Sequence, residues 1–459
     1  MWRIGAGEWR SWTLKRAAVL LFLLLETVDP ESSPATTITA SSCSRESVGA
    51  AVTASTYGDT VTVPAGNCTW ASTLTIARGI TLRGAGPGVT NITSGAGTTN
   101  FLIVYAPDAT AITADTPFAV TGFTLNLNGA SGGIHLQSNS TTTAITNVRI
   151  YGNVISNAAG TGSSTDVACL RVGDLRSATD GQVYGLIYEN TFTNCASGVQ
   201  AYGMQDVSWN GFVFAFGSKN NLYIEDNTFT GNDAFHYGGA GGRYVARFNT
   251  YNFTDGDYEL VWDAHGNQPG GVYATMGCEI YRNTVSIARS TTVLDHRGGK
   301  CLVFDNTTTG TPGNWQIREE YDDAISPTTN PQPQHVSDSY YVGNRHNGSI
   351  VTATETQDCC GGAITSNVDY FNEVVSFTGS AGIGRGVLSA RPETCTTGVG
   401  YWATDQGSWN LSGRGGQGVL YKCIAQNTWR LYYVPLTYPH PLRTDSSNAL
   451  AAPTGLTVW

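Results

Sequence analysis

Apolar and polar residues alternate along this chain in a phrase that keeps returning, apolar-x-apolar-x-x-Asn-x-apolar. It is complete in VRIYGNVI ending at Ile155, LYIEDNTF ending at Phe229, CEIYRNTV ending at Val285 and CLVFDNTT ending at Thr308, with looser copies around Asn190, Asn249 and Asn372. The closest copies, Asn227 to Asn249 and Asn283 to Asn306, are 22 and 23 residues apart. A fixed period of that size predicts a solenoid, and the short alternating runs predict that each rung is a strand. Three residues before the Asn lie Ile150, Ile187, Ile224, Ala246, Ile280 and Val303; two after it lie Ile155, Phe192, Phe229, Tyr251, Val285 and Thr308. Side chains two apart on a strand share a face, so one face of every rung is apolar and points into a common core. No rung can bury that face alone, so the rungs must stack. The Asn is expected to take the left-handed turn conformation and to bond the Asn of the next rung. The fold this predicts is all-β: a single-stranded, right-handed parallel β-helix.

A second stretch carries a resemblance. GDTVTVPAGNCTW (Gly58 to Trp70), followed by LTIARGITLRGAG (Leu74 to Gly86), resembles the opening coils of pectate-lyase-like β-helix proteins, over residues 43 to 380. It implies the fold; fold alone does not assign an activity.

The texture divides the chain into four parts: residues 1–35 as signal peptide and linker, 36–380 as the parallel β-helix, 381–442 as an aromatic-rich C-terminal β module or cap, and 443–459 as a tail ending in APTGLTVW. The apolar run Ala17 to Leu25 follows Arg10, Lys15 and Arg16 and is too short to span a bilayer, which reads as a signal peptide. An extracellular or cell-surface location follows, with no membrane association beyond that segment. The module is expected to cap the open end of the coil, since a bare solenoid end invites edge-to-edge growth.

Composition agrees with an all-β, turn-rich chain: 459 residues, 55 of them Gly, with only 13% charged. A net charge of −10 repels nucleic acid at long range, but a local basic cleft still admits an anionic polysaccharide. The ten Cys suit an exported protein. Cys278 and Cys301 each precede their Asn by five residues in consecutive rungs, and neighbouring strands lie about 4.8 Å apart, which suits a disulfide. Cys43 with Cys68 and Cys169 with Cys195 are also about one rung apart, and Cys395 with Cys423 would clip the C-terminal region.

Ionisable residues are densest between Glu225 and Asp323. Counting back six from the rung Asn gives an outward column of Arg243, His265 and Lys300, with His265 included if the Gly/Pro-rich stretch after it is looped out. Asp263 shares a face with His265, and Asp295, His296 and Arg297 lie just upstream of Lys300. Glu225, Arg247, Glu279 and Tyr281 should face outward on the adjoining strand, the last three with His296 as substrate contacts. Such a cluster suits β-elimination on a uronate glycan, which needs a neutralised carboxylate and a base. His265 is the expected base, and Arg243, Arg297 and Lys300 the carboxylate clamp. Hydrolysis would instead use two carboxylates, Asp263 and Asp295. Asp255, Asp257 and Glu259 alternate and are candidates for Ca²⁺, the one cofactor suggested. Arg318-Glu319-Glu320 reads as solvated turn charge. Opposed to the enzyme is a non-catalytic glycan binder, adhesin, tail-spike-like protein or filament-forming homo-oligomer, in which the same charges form ladders between rungs.

Overall fold

A computed structural model describes residues 34–95, 101–129, 132–158, 168–174, 182–203, 214–231, 234–253 (backbone alone for 234–237), 260–267, 273–318, 334–356, 364–413 and 416–443. The proposed signal segment, the tail beyond Arg443, Cys359 and Cys360, and the Ca²⁺ candidates Asp255, Asp257 and Glu259 lie outside the described residues. From Ala35 onward the chain forms one compact unit.

That unit is a parallel β-helix. Successive strands are dealt in turn to three long sheets of 12, 11 and 10 strands. The first sheet runs from Thr37–Thr39 to Tyr370–Asn372, the second from Gly66–Trp70 to Ser349–Ile350 and the third from Leu74–Ile76 to Thr354–Glu355. Pairing within them is parallel except for the closing hairpin Arg345–His346 with Ser349–Ile350. At the N-terminal end sits the helix Arg45–Ala54, whose N-cap Ser44 accepts a hydrogen bond from the Ser47 amide.

Inward positions form one continuous core from Ala40 to Tyr370. Ile150, Ile187, Ile224, Ala246, Ile280 and Val303 line it from the first sheet, and Ile155, Phe192, Phe229, Tyr251 and Val285 from the second. Phe192, Phe229 and Tyr251 stack at centroid distances of 4.8 and 5.0 Å, each ring tilted 10° from the last.

The Asn ladder forms at the corner between the first and second sheets. Each Nδ2 donates to the Oδ1 of the Asn one turn on: Asn153 to Asn190 at 3.0 Å, then Asn227, Asn249, Asn283, Asn306 and Asn344, the last step at 2.9 Å. Each Oδ1 also accepts the backbone amide of the Asn before it. Two expectations are corrected here. The left-handed residue is the one before the Asn, namely Gly152, Glu189, Asp226, Phe248, Arg282, Asp305 and Gly343, with φ between 53 and 74°. The Asn side chain is wanted inside, where its buried amide must be satisfied, so its neighbour makes the corner. The final member is Asn344; Asn372 instead bonds Ala353.

Among the described residues four disulfides close: Cys43–Cys68, Cys169–Cys195, Cys278–Cys301 and Cys395–Cys423, with Cα separations of 5.8, 5.7, 4.6 and 6.0 Å. The first three are the pairings that one-turn spacing predicts, and the fourth clips the C-terminal region as expected. Cys278 and Cys301 are register partners in the first sheet.

The outer face of the second sheet repeats in two columns. On nine successive strands, from Asn67 to Thr309, the outward pair reads N-x-T, N-x-T, T-x-N, V-x-S, T-x-T, T-x-T, T-x-N, T-x-S and T-x-T. The residue between each pair points into the core.

The C-terminal module is a four-stranded sheet of Ile383–Gly386, Gly400–Ala403, Val419–Ala425 and Thr428–Tyr433. It lies along the side of the coil, against the outer face of the first sheet. There the outward positions Leu186, Tyr223, Val245, Leu302 and Tyr340 share a buried cluster with Val399, Trp402, Leu420 and Tyr433. Among the described residues no helix is long and apolar enough to cross a membrane.

Candidate functional site

The residues singled out by sequence fall into two groups on different sheets. Arg243, Gly277 and Lys300 are register partners in the first sheet. Gly277 occupies the place in the column expected for His265. His265 follows the third-sheet strand Leu260–Ala264, because each turn visits the third sheet between two ladder Asn and His265 lies before the loop that leads from there back to the first sheet.

The first-sheet group is taken up by contacts within the protein. Arg243 is 2% exposed; its Nη2 lies 3.0 Å from Met276 Sδ and its guanidinium sits over Tyr184 and Phe214. Lys300 pairs with Asp338 at 3.6 Å, a carboxylate it shares with Lys422 and the Tyr432 hydroxyl of the C-terminal module. Arg247 points outward, as expected, but is buried beneath the module. It donates to Glu225 at 2.7 Å, to the Tyr281 hydroxyl at 2.9 Å, and to the carbonyls of Leu436 at 2.7 Å and Thr437 at 3.0 Å. Glu279 accepts from the Tyr433 hydroxyl at 2.6 Å and the Gly217 amide at 2.7 Å. Burial raises its carboxyl to about 7 against the pull of those hydrogen bonds and of Arg247. Arg443 completes the network with Glu225, Glu189 and Asp226. Arg247, Glu279 and Tyr281 therefore hold the module and are not substrate contacts.

His296 is also corrected. It pairs in register with Ala264 and Ile317, both core positions, and is fully buried. Its Nδ1 lies 2.5 Å from the Tyr341 hydroxyl and its Nε2 3.1 Å from the Gly298 carbonyl. Burial lowers its pKa to about 4, so it is a neutral core histidine.

The third sheet brings the rest together. One column passes in register through His135, Arg171, Gln200, position 237, Asp263, Asp295 and Gln316; His135, Arg171, Gln200, Asp263 and Asp295 are buried, and Gln316 is half-buried. Two residues further along three of these strands lie His265, Arg297 and Arg318, a basic row beside the carboxylates. Arg297 bridges both acids. Its Nη2 lies 2.5 Å from Asp263 Oδ2, and its Nε lies 3.2 Å from both Asp263 Oδ1 and Asp295 Oδ2. Arg318 grips Asp295 with two parallel bonds of 2.9 and 2.8 Å, and Gln316 adds a third at 3.0 Å. Burial raises the Asp263 carboxyl above its ordinary value despite the opposing charges of Arg297 and His265, and Asp295 adds to the rise. The two acids thus sit side by side in unequal surroundings. Further up the column, Arg171 donates to Gln200 at 2.8 Å and lies over the rings of Phe101 and Tyr202.

Arg318 is the residue that sequence reasoning missed. Its acidic neighbours made it look like turn charge, and the signal that could have found it is its position two beyond Gln316 on the strand. Among the described residues no group of three His, Cys, Asp or Glu could hold a metal ion.

No family model and no curated protein matches the chain. Among solved structures, ORF18 of Geobacillus virus E2 is similar at 14% identity, over 68% of this chain and 58% of that chain, with a TM-score of 0.27. This chain therefore spans less than two thirds of the length of that protein.

Proposed function

We propose that this is an extracellular polysaccharide-acting protein whose ligand is an anionic glycan laid along the outer face of the third sheet. The observation that carries the reading is the in-register polar column from His135 to Gln316, flanked by His265, Arg297 and Arg318. Sites one turn apart recur about every 4.8 Å, so a linear chain of sugar units would meet a run of polar groups rather than one pocket. The four disulfides fit an oxidising, extracellular setting.

The reaction that suits these residues is β-elimination. Arg297 and Arg318 would draw off charge from a uronate carboxylate. His265 would remove the proton beside it. The C–H electron pair becomes the new double bond, and the β oxygen leaves with the glycosidic pair and takes a proton from solvent. The test is a screen of uronate-containing glycans, followed by the ultraviolet absorbance of the unsaturated product. His265→Ala should lower that rate by about a hundredfold or more, with Arg318→Ala raising KM. A specific observation favours a second reading, glycan binding without cleavage: both carboxylates and both arginines already satisfy one another. Retention of a uronate glycan with no unsaturated product, lost in Arg318→Ala, would establish that reading instead. Failure to bind or cleave any anionic glycan would sink both.

A further inference from the structure

The outer face of the second sheet lies apart from the third-sheet column and has a character of its own, whatever that column binds. Its two columns hold 18 outward positions on nine strands, of which 11 are Thr, four Asn, two Ser and one Val, with no charge among them. All are half-buried or exposed. Each Thr presents a hydroxyl and a methyl group at a place fixed by the sheet. Along a strand the paired positions are roughly 7 Å apart, and across strands about 4.8 Å. The ring stack directly beneath has that same step, 4.8 and 5.0 Å. Its three rings lie within 10° of parallel from one strand to the next. The face is therefore a regular, two-dimensional mesh, stiffened at one edge by the Asn ladder and from below by the stacked rings.

We propose that this face binds ice. A crystal is the ligand that reads regular spacing over many turns, and hexagonal ice repeats at intervals matching this mesh in both directions. Water held by the hydroxyls and confined by the methyls is placed laterally in step with the ice surface. Charged groups would orient it radially instead, and none is present until Arg345 ends the first column. Each contact is weak, but all are made at once by a rigid array, so little ordering remains for binding to supply. The alternative ligand, a crystalline polysaccharide face, would be met by flat rings, and the outward positions carry no aromatic residue.

The test uses the full chain. Ice is grown slowly on a cold surface from a dilute solution, and the protein in the ice is compared with that of a globular control. The expected result is several-fold enrichment in ice, with faceted crystals and seed growth halted just below the melting point. Thr228→Tyr and Thr193→Lys, at the centre of the array, should each lose most of that enrichment while circular dichroism and the thermal midpoint stay as in the native chain. Val375→Lys, at an exposed site away from the array, should keep it. Exclusion of the native protein from ice overturns the proposal, as does unchanged enrichment in Thr228→Tyr. Retention on crystalline cellulose or chitin without ice enrichment, lost in the same variant, reassigns the face to a polysaccharide and likewise overturns it.

Discussion

The outer faces of the first and second sheets are built on the same turns, with the Asn ladder running between them, yet one is an interior and the other a surface. From Leu186 onward the first sheet points large groups outward, among them Tyr223, Val245, Leu302 and Tyr340, and the C-terminal module covers them. The second sheet points Thr, Asn and Ser outward and stays open. A continuous apolar face must be covered, whereas a small polar one need not be. A β-helix multiplies a residue choice by the number of turns, so a modest bias at one rung position becomes the character of a whole side of the molecule. The covered side also shows the consequence of adding charge there: Arg247, Glu225 and Glu279 are buried, and each is tied to the module or to its neighbours.

The sharpest way to break this contrast is Arg247→Ala. It leaves a buried acid short of a partner and two carbonyls of the module without a donor, for a loss of about 3–5 kcal/mol in urea unfolding. Early proteolytic release of residues near 432–443 should accompany it. Next is pH. Glu279 has its folded pKa raised to about 7, so the folded state favours its protonated form. Its contribution is fully present below the unfolded carboxylate pKa and is lost as pH rises toward 7, by on the order of 3 kcal/mol. The lowered values of Glu225 and of His440, the latter about 4, act in the opposite sense as pH falls. Urea midpoints of Glu279→Gln and native protein measured in parallel isolate the first effect: the difference between them should change across that window and level off above it. Asn249→Ala, which removes one rung of the ladder serving both faces, should lose about 1–3 kcal/mol. Smallest is Thr228→Ala on the open face, within about 0.5 kcal/mol of native. A large loss there would mean that the face is covered.

The third sheet shows where counting along the chain stops working. Asp263, His265, Asp295 and Arg297 do come together, and their clustering in sequence was the clue. Arg243 and Lys300 do not join them, because each turn visits all three sheets and loops of different length separate the visits. Counting back from an Asn is safe within one strand and unsafe across a loop. The covered face was more legible than the reading made of it. Tyr223, Val245, Leu302 and Tyr340 recur four residues before the ladder Asn, with Glu279 between Val245 and Leu302, and that largely apolar outward column called for a partner of the size of the aromatic C-terminal module.

Periodicity alone determined that this chain coils, which residues enter the core, where the ladder runs and which cysteines of the coil meet. Those properties depend on side chains one turn apart, and a repeat brings them into contact whatever the loops do. The sequence pattern did not decide that the module lies along the coil's flank, that outward charges there are buried, or that Arg318 completes the acidic pair. Those depend on contacts between segments far apart in the chain, such as Arg247 with Leu436, whose meeting follows from the packing of one finished surface on another.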